Sequence, residues 1–308
     1  MLFNLESLPS NDVFFWADFI EIRALVHPDK RFNRGELDSV MRSQPEGYTR
    51  EQSQEKWRLA IDFIIQRRVI FGDSYPFHVS DDMDEVIINE TELDLLTALQ
   101  HMYLSLLLCA NIKYIPKRRR AEITRSFEVI SLPIFSSLMP RGVQVVPNWA
   151  GGGEEARYRG SLFEKYQSIA NDIRCTAVGL RERDFKVGDH GDGGLDIIAW
   201  HPMGDDRDAI PIAFVQCGCS QKEWVAKQLE ASYAKLGSRI PVTHPWATYY
   251  FLPQDLRWMD GDWAYKADIG NAIFVDRLRL INLARENELI ENFPLQPYVA
   301  ETFSMSYR

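Results

Sequence analysis

The chain has 308 residues, of which 45% are hydrophobic and 26% charged, a balance that excludes a disordered protein and allows one large or two modest globular domains. Its formal net charge of −9 excludes coating of nucleic acid by bulk electrostatics, so phosphate contacts have to come from local basic patches, bound metal or a partner. The four cysteines, Cys109, Cys175, Cys217 and Cys219, are too sparse for a disulfide framework, and a reducing cytoplasm is the expected setting.

The first residues lack a basic region followed by a sustained apolar run, so no signal peptide is expected. Asn11-Asp12 can cap a helix whose apolar positions Val13, Phe14, Ala17, Ile20 and Leu25 recur at helical spacing, and His27-Pro28 ends it. Further helices are expected over about 51–70, 91–113 and 118–132, with Pro76, Pro116 and Pro133 as breaks. The apolar stretch 93–112 carries Asp94, Gln100, His101 and Asn111, which fits a buried helix and not a membrane span. Lys117-Arg118-Arg119-Arg120 opens one helix with basic charge, where it opposes the macrodipole.

The segment from Pro140 to the triple glycine Gly151-Gly152-Gly153 changes composition sharply and reads as a hinge. The expected division is therefore a mainly α-helical domain over 1–150 and an α/β domain over 151–308. In the second half a helix is expected over about 155–173, strands over 175–180, 195–200 and 210–217, and a helix over 221–236. Strands over 247–252 and 272–275 and a helix over about 277–290 follow. Ser220-Gln221-Lys222-Glu223 has the pattern of a capping box and puts Gln216 at the end of a strand that turns into a helix.

The most informative stretch is Gly193-Gly194-Leu195-Asp196-Ile197-Ile198-Ala199-Trp200, followed by Ile212-Ala213-Phe214-Val215-Gln216-Cys217. It places a carboxylate at the start of one buried strand and an amide at the end of the next, and a buried carboxylate is costly without a partner or a metal. With Glu164 in Ser161-Leu162-Phe163-Glu164 on a preceding helix, the pattern resembles the PD-(D/E)XK nuclease superfamily, nearest its Mrr-like restriction endonuclease branch, in which Gln can replace the second acid. The resemblance implies a restriction-endonuclease-like central mixed sheet flanked by helices and a divalent-metal-dependent endonuclease. It also implies DNA as the expected target and defence against foreign DNA as the setting.

The same resemblance implies that Glu164, Asp196 and Gln216, joined by the backbone carbonyl of Cys217, hold Mg2+ or Mn2+. Such hard ions take oxygen ligands, polarise a phosphate and acidify attacking water. A lysine stands two residues beyond the last ligand in these nucleases, whereas Gly218 stands there in this chain. Lys222 and Lys227 are the candidate substitutes, and helical phase against Val225, Leu229, Ser232 and Leu236 favours Lys222. Arg157, Arg159, Arg183 and Lys186, with Arg181, flank the region and are candidate phosphate contacts. The helical domain would then select substrate or bind a partner protein or a second copy.

Blander readings stand beside each residue. Glu164 alone is an ordinary solvated helix residue, Asp196 can bond loop amides, and Gln216 can satisfy sheet-edge backbone. Cys217 and Cys219 with His190 and His201 lack a second matched pair for zinc, and the loop of Asp189 and Asp192 enters a strand and not a helix, unlike a phosphate loop. Trp246, Trp258 and Trp263 fit packing better than base stacking. The alternative to an enzyme is an inactive nuclease-fold subunit that binds protein or nucleic acid, supported by Gly218 and the acidic net charge.

Overall fold

The computed structural model describes residues 5, 7–45, 47–149, 156–178, 181–186, 188, 191–291 and 293–307. The chain forms two compact units. The first comprises Met1–Arg125, Pro253–Ala264 and Arg277–Arg308, and the second Ser126–Leu252 and Tyr265–Asp276. This differs from the expected division at residue 150. The change falls within a helix, and the chain returns twice to the first unit after leaving it. The expected glycine hinge at 151–153 lies outside the described residues.

The first unit is mainly helical, as its apolar spacing requires. It holds α1 (Val13–Val26), α2 (Arg34–Arg42), α3 (Arg50–Phe71), α4 (Ala98–Ala110) and the start of α5 (Lys117–Ser137). Capping boxes begin three of them, Asn33 with Glu36, Thr49 with Gln52 and Thr97 with Gln100, each satisfying two amides that the helix leaves orphaned. A small antiparallel sheet, β1 (Arg31–Asn33), β2 (Phe77–Val79) and β3 (Glu85–Ile88) in the order β1-β3-β2, was not expected from the sequence. Its strands are too short to show an alternating pattern.

Buried charges hold this unit together. Arg67 on α3 contacts Asp18 and Glu21 of α1, each at 2.7 Å, and Asp255 at 3.0 Å. Arg277 pairs with Asp18 at 2.9 Å and donates to the carbonyl of Pro253. All five side chains are buried.

The second unit is built on a five-stranded mixed sheet in the order β4-β5-β6-β7-β8. The strands are β4 (Gln144–Pro147), β5 (Ile197–Trp200), β6 (Ile212–Cys217), β7 (Ala247–Phe251) and β8 (Ile273–Val275). The first three run antiparallel, and β7 and β8 run parallel to β6. Strands β5 and β6 are buried along their whole length, which is why they read as unbroken apolar runs. The fold is thus α/β with a mixed sheet and helices. Strand β4 lies in a segment expected to be linker, and the expected strand over 175–180 is not formed in its described part.

Helix α5 continues through Pro133, where the sequence predicts a break. The residues beyond the proline explain it: Ile134 and Phe135 are buried, and Phe135 packs edge-on against Tyr249 and Phe251 of β7, which offsets the lost backbone bond. Helix α6 (Leu162–Asp172) begins at a capping box of Ser161 and Glu164.

The expected helix over 221–236 is instead two short turns, α7 (Trp224–Lys227) and α8 (Tyr233–Leu236). Ser220 Oγ accepts from the amides of Lys222 and Glu223, so one half of the expected box forms. Buried Gln228 divides the segment by spending its amide on the 268–270 loop, and Ser232 caps the second turn. Two further helices, α9 (Arg277–Glu286) and α10 (Pro297–Phe303), close the chain in the first unit. Among the described residues no helix is long and apolar enough to cross a membrane.

Candidate functional site at the carboxyl end of β6

The antiparallel register pairs Ile197 with Val215, and the amide of Asp196 continues that ladder to the carbonyl of Val215. Asp196 therefore stands opposite Gln216, and the parallel register sets Gln216 beside Tyr250 on β7. Partners directly across a ladder share a sheet face, so Asp196, Gln216 and Tyr250 form a polar row across three strands. Apart from Thr248, the rest of that face is apolar, with Ile198, Trp200, Ile212 and Phe214 packed on Tyr166, Ile169, Leu236 and Trp246.

The loop that delivers Asp196 is fixed from several sides. Asn148, just past β4, donates its side-chain amide to the carbonyls of Asp192 and Leu195, and its backbone amide to the carbonyl of Asp196. Buried Lys165 of α6 donates to the carbonyls of Trp149 and Gly191. Tyr166 donates its hydroxyl to Gly193, and Asp192 accepts from the amide of Gly194 at 2.7 Å. Gly194 has φ +82°, and a Cβ there would lie 2.6 Å from the Cβ of Glu230, so only glycine fits between β5 and the segment after α7.

Asp196 is 2% exposed, and its Oδ2 accepts from the amide of Cys217 at 2.6 Å. Burial pushes its carboxyl well above the ordinary aspartate range, repulsion from Asp192 and Glu128 adds to this, and the Cys217 amide and Lys227 only partly oppose it. Gln216 donates Nε2 to the carbonyl of Cys217, while its Oε1 is buried with no hydrogen-bond partner among the described residues. The Tyr250 hydroxyl is in the same condition.

Glu164 is not part of this row. Its Oε2 accepts from the amide and hydroxyl of Ser161, and it covers Gly160, so the carboxylate is the far half of a capping box. The acids that act on Asp196 are Asp192, from its own loop, and Glu128, from α5. Glu128 and Ser131 lie one turn apart on that helix, and both act on the thiol of Cys217, whose pKa burial pushes up well above the usual thiol value. Glu128 was missed in the sequence. Its signal was an acid beside the stripe Phe127, Ile130, Ser131 and Ile134, all of which are buried.

The lysine assignment also changes. Trp224 and Gln228 are buried while Val225 and Leu229 are 39% and 41% exposed, so the first half of the expected stripe is one residue out of phase, whereas Ser232 and Leu236 are buried as expected. Lys222 is exposed, whereas Lys227 is partly buried, pairs with Glu223 at 3.4 Å and acts on Asp196. Of the two candidates it is Lys227, not the Lys222 that phase favours, that acts electrostatically on Asp196.

Gly218 explains why no lysine stands on the strand. A Cβ at 218 would lie 1.9 Å from the Tyr250 hydroxyl and 2.7 Å from its ring, so the tyrosine fills the volume that any side chain would need. Gly218→Ala is expected to lower stability by roughly 1–3 kcal/mol, the usual range for overpacking, in denaturant unfolding. An unchanged midpoint would show that Tyr250 moves aside freely.

Of the candidate phosphate contacts, Arg157 is committed to a bidentate pair with Asp172 and lies over the Trp200 ring, and Arg159 donates to the carbonyl of Ala156. Arg183 and Lys186 are exposed. Arg119 of the basic run is bound to Glu122 and Glu301. Trp246 packs in the core against Phe214 and Tyr233, and Trp258 and Trp263 belong to the first unit.

Among the described residues no group of three or more His, Cys, Asp or Glu side chains is close enough to hold a metal. His190 and Asp189 lie outside the described residues. The Asp196 carboxylate, the Gln216 amide oxygen, which has no hydrogen-bond partner among the described residues, and the Cys217 carbonyl, which accepts from the Gln216 amide, are oxygen donors only, the chemistry that suits Mg2+ or Mn2+. No protein-family model, curated protein or solved structure matches the chain.

Proposed function

We propose that the second unit is a divalent-metal-dependent nuclease that hydrolyses phosphodiester bonds, with DNA as the substrate. The observation that carries the reading is the buried row of Asp196 and Gln216. It sets a carboxylate whose charge burial disfavours, repelled by two further acids, beside an amide oxygen with no hydrogen-bond partner among the described residues. Both atoms are satisfied by one hard cation. Asp196, Gln216 and the Cys217 carbonyl would hold it, with Glu128 and Asp192 supplying further negative charge. A bound Mg2+ or Mn2+ supplies Lewis-acid polarisation of the phosphate and a more acidic water.

The chain's own residues do the rest. Asn148 and Lys165 hold the Gly191–Asp196 loop in register, and Cys217 fixes one oxygen of Asp196. Lys227 supplies positive charge on the side where a scissile phosphate gains negative charge. Arg183 and Lys186, being exposed, are the remaining groups for backbone phosphates. The inactive-subunit reading has one specific support, the Tyr250 ring that closes the lysine position over Gly218.

Cleavage of DNA and RNA with Mg2+, Mn2+ or chelator, on the full chain, tests the proposal. Metal-dependent cleavage of DNA supports it, and absence of cleavage with every ion leaves the binding subunit. Lys227→Ala is expected to slow cleavage on the order of a hundredfold, while Lys222→Ala stays within about twofold of the parent. Neither change should alter folding, because the Lys227–Glu223 pair is largely solvated. Equal rates for both variants would remove Lys227 from the site.

A further inference from the structure

Glu230 lies between α7 and α8, in a turn that is anchored on both sides of it. Buried Gln228 bonds the 268–270 loop, and the carbonyl of buried Ala231 accepts from Trp246 Nε1 at 2.7 Å. These anchors hold the Glu230 stem against Gly194, two residues before Asp196. The position of an added Cβ at 194 lies 2.6 Å from Glu230 Cβ, 3.1 Å from Glu230 Oε2 and 3.3 Å from Gln216 Oε1. The missing Cβ of Gly194 thus leaves a gap with one oxygen of each residue on its border.

A carboxylate and an amide oxygen are both acceptors, so neither satisfies the other. Gln216 Oε1 is buried with no hydrogen-bond partner among the described residues. The Glu230 carboxylate pairs with Lys235 at 3.9 Å, beyond hydrogen-bond length, and its side chain is 34% exposed, which leaves it room to turn. Asp196 and Glu230 both act electrostatically on Tyr250, the neighbour of Gln216 on β7, so the two acids border the same part of the sheet. Two acids around a buried acceptor are costly without a cation between them.

We infer that Glu230 is a second carboxylate ligand of the divalent cation held by Asp196 and Gln216, reaching it across Gly194. This rests on the metal-dependent reading above. Asp196 brings one negative charge, and the oxygens of Gln216 and Cys217 bring none, so a second carboxylate completes the neutralisation of a divalent ion. Ligand charge is one of the quantities that sets affinity for hard cations. Gly194 then serves the site directly, since a side chain there would fill the space between Glu230 and Gln216.

The test is Mn2+ titration calorimetry on the full chain, comparing the parent with Glu230→Gln, Glu230→Asp and, as a control for net charge, Glu286→Gln at an exposed position of α9. Glu230→Gln is expected to lower Mn2+ affinity roughly tenfold or more, since even a residue that only supports a ligand typically costs that much. Glu230→Asp keeps the charge but shortens the reach by one methylene, and it is expected to lose affinity as well, because a ligand acts by contact. Glu286→Gln should bind as the parent does. In metal-free buffer Glu230→Gln should melt with the parent, as it gives up only a long, partly solvated pair with Lys235.

Equal Mn2+ affinities of the parent and Glu230→Gln would overturn the inference and leave the site of Asp196 and Gln216 standing. Parent-like affinity in Glu230→Asp, or an equal loss in Glu286→Gln, would also overturn it, by showing that the charge acts through space. A lower metal-free melting temperature of Glu230→Gln alongside the fall in affinity would do the same, by making the residue structural. A parent that binds no Mn2+ would overturn the metal-dependent reading itself, and the role of Glu230 with it.

Discussion

Asp196→Asn is expected to abolish metal-dependent cleavage and, in metal-free buffer at neutral pH, to make the protein more stable than the parent. The loss of cleavage should be on the order of a thousandfold or more, since a cation that has lost its carboxylate forfeits several kcal/mol of transition-state stabilisation. The gain in stability follows from the direction of the Asp196 pKa. Burial, with Asp192 and Glu128 beside it, raises the folded value above that of the unfolded chain, about 3.9. Below the unfolded value both states carry the proton and the residue contributes nothing. As pH rises through the folded value, the folded state must either hold the proton against the solution or bury a charge, and stability is lost.

An amide at 196 avoids that loss and can still accept from the Cys217 amide. The parent and Asp196→Asn should therefore melt together at low pH and separate towards neutrality by about 1 kcal/mol or more, roughly 2–4 °C for a unit of this size. Saturating Mg2+ should close the gap by stabilising the parent alone, with about 2.7 kcal/mol available at a hundred times the dissociation constant. Melting curves at several pH values, with and without metal, decide the matter. A variant less stable than the parent in chelator would show that Asp196 serves the fold and not a cation.

The parts of this arrangement that were legible in the sequence are local ones. Asp196 and Gln216 could be read because each lies at the end of a continuous apolar run, and two such runs joined by a short polar turn pair in one register. Helix α1 ended where His27-Pro28 requires, and the helical character of the first unit followed from its spacing. Glu164 was ambiguous because a capping-box glutamate and a ligand glutamate share one sequence signature, an acid in the first turn of a helix, and the structure shows the capping box. The phase argument for Lys222 assumes one continuous helix, and buried Gln228 breaks it. Glu128 and Tyr250 were invisible because their roles depend on neighbours far away in the chain, Asp196 and Cys217 for the first and Gly218 for the second. The boundary at 150 failed for the same reason, since Asp18 and Arg277, 259 residues apart, share one buried network.

That network sets the largest expected change in stability, from Arg67→Met. The guanidinium is the common partner of Asp18, Glu21 and Asp255; the Tyr75 hydroxyl donates to the same Glu21 oxygen as Arg67, and the Tyr103 hydroxyl donates to the other. Methionine fills much of the same space without charge, so packing is nearly conserved and the loss is electrostatic. Three carboxylates would then share Arg277, which contacts Asp18, and Arg257, which contacts Asp255 at 2.6 Å, leaving Glu21 with hydroxyl donors alone. Removing one partner of a buried ion pair typically costs about 3–5 kcal/mol, a large share of the stability of a domain.

The pH dependence has a definite sign. Burial pushes Asp18 up, but Arg277 and Arg67 outweigh it and hold the carboxyl below its ordinary value, so its contribution to the parent is present near neutrality and is lost as pH falls. For Glu21 burial prevails over Arg67 and raises the value, and without Arg67 it rises further, so the variant regains stability as the carboxyl takes up its proton. Both effects narrow the difference on acidification. Denaturant unfolding of parent and Arg67→Met across pH, with exposed Arg68→Met as control, checks the expectation. A deficit below about 1 kcal/mol, or one that widens as pH falls, would mean that the pairs around Arg67 roughly cancel their own desolvation cost and that apolar packing alone holds the returning segments in the first unit.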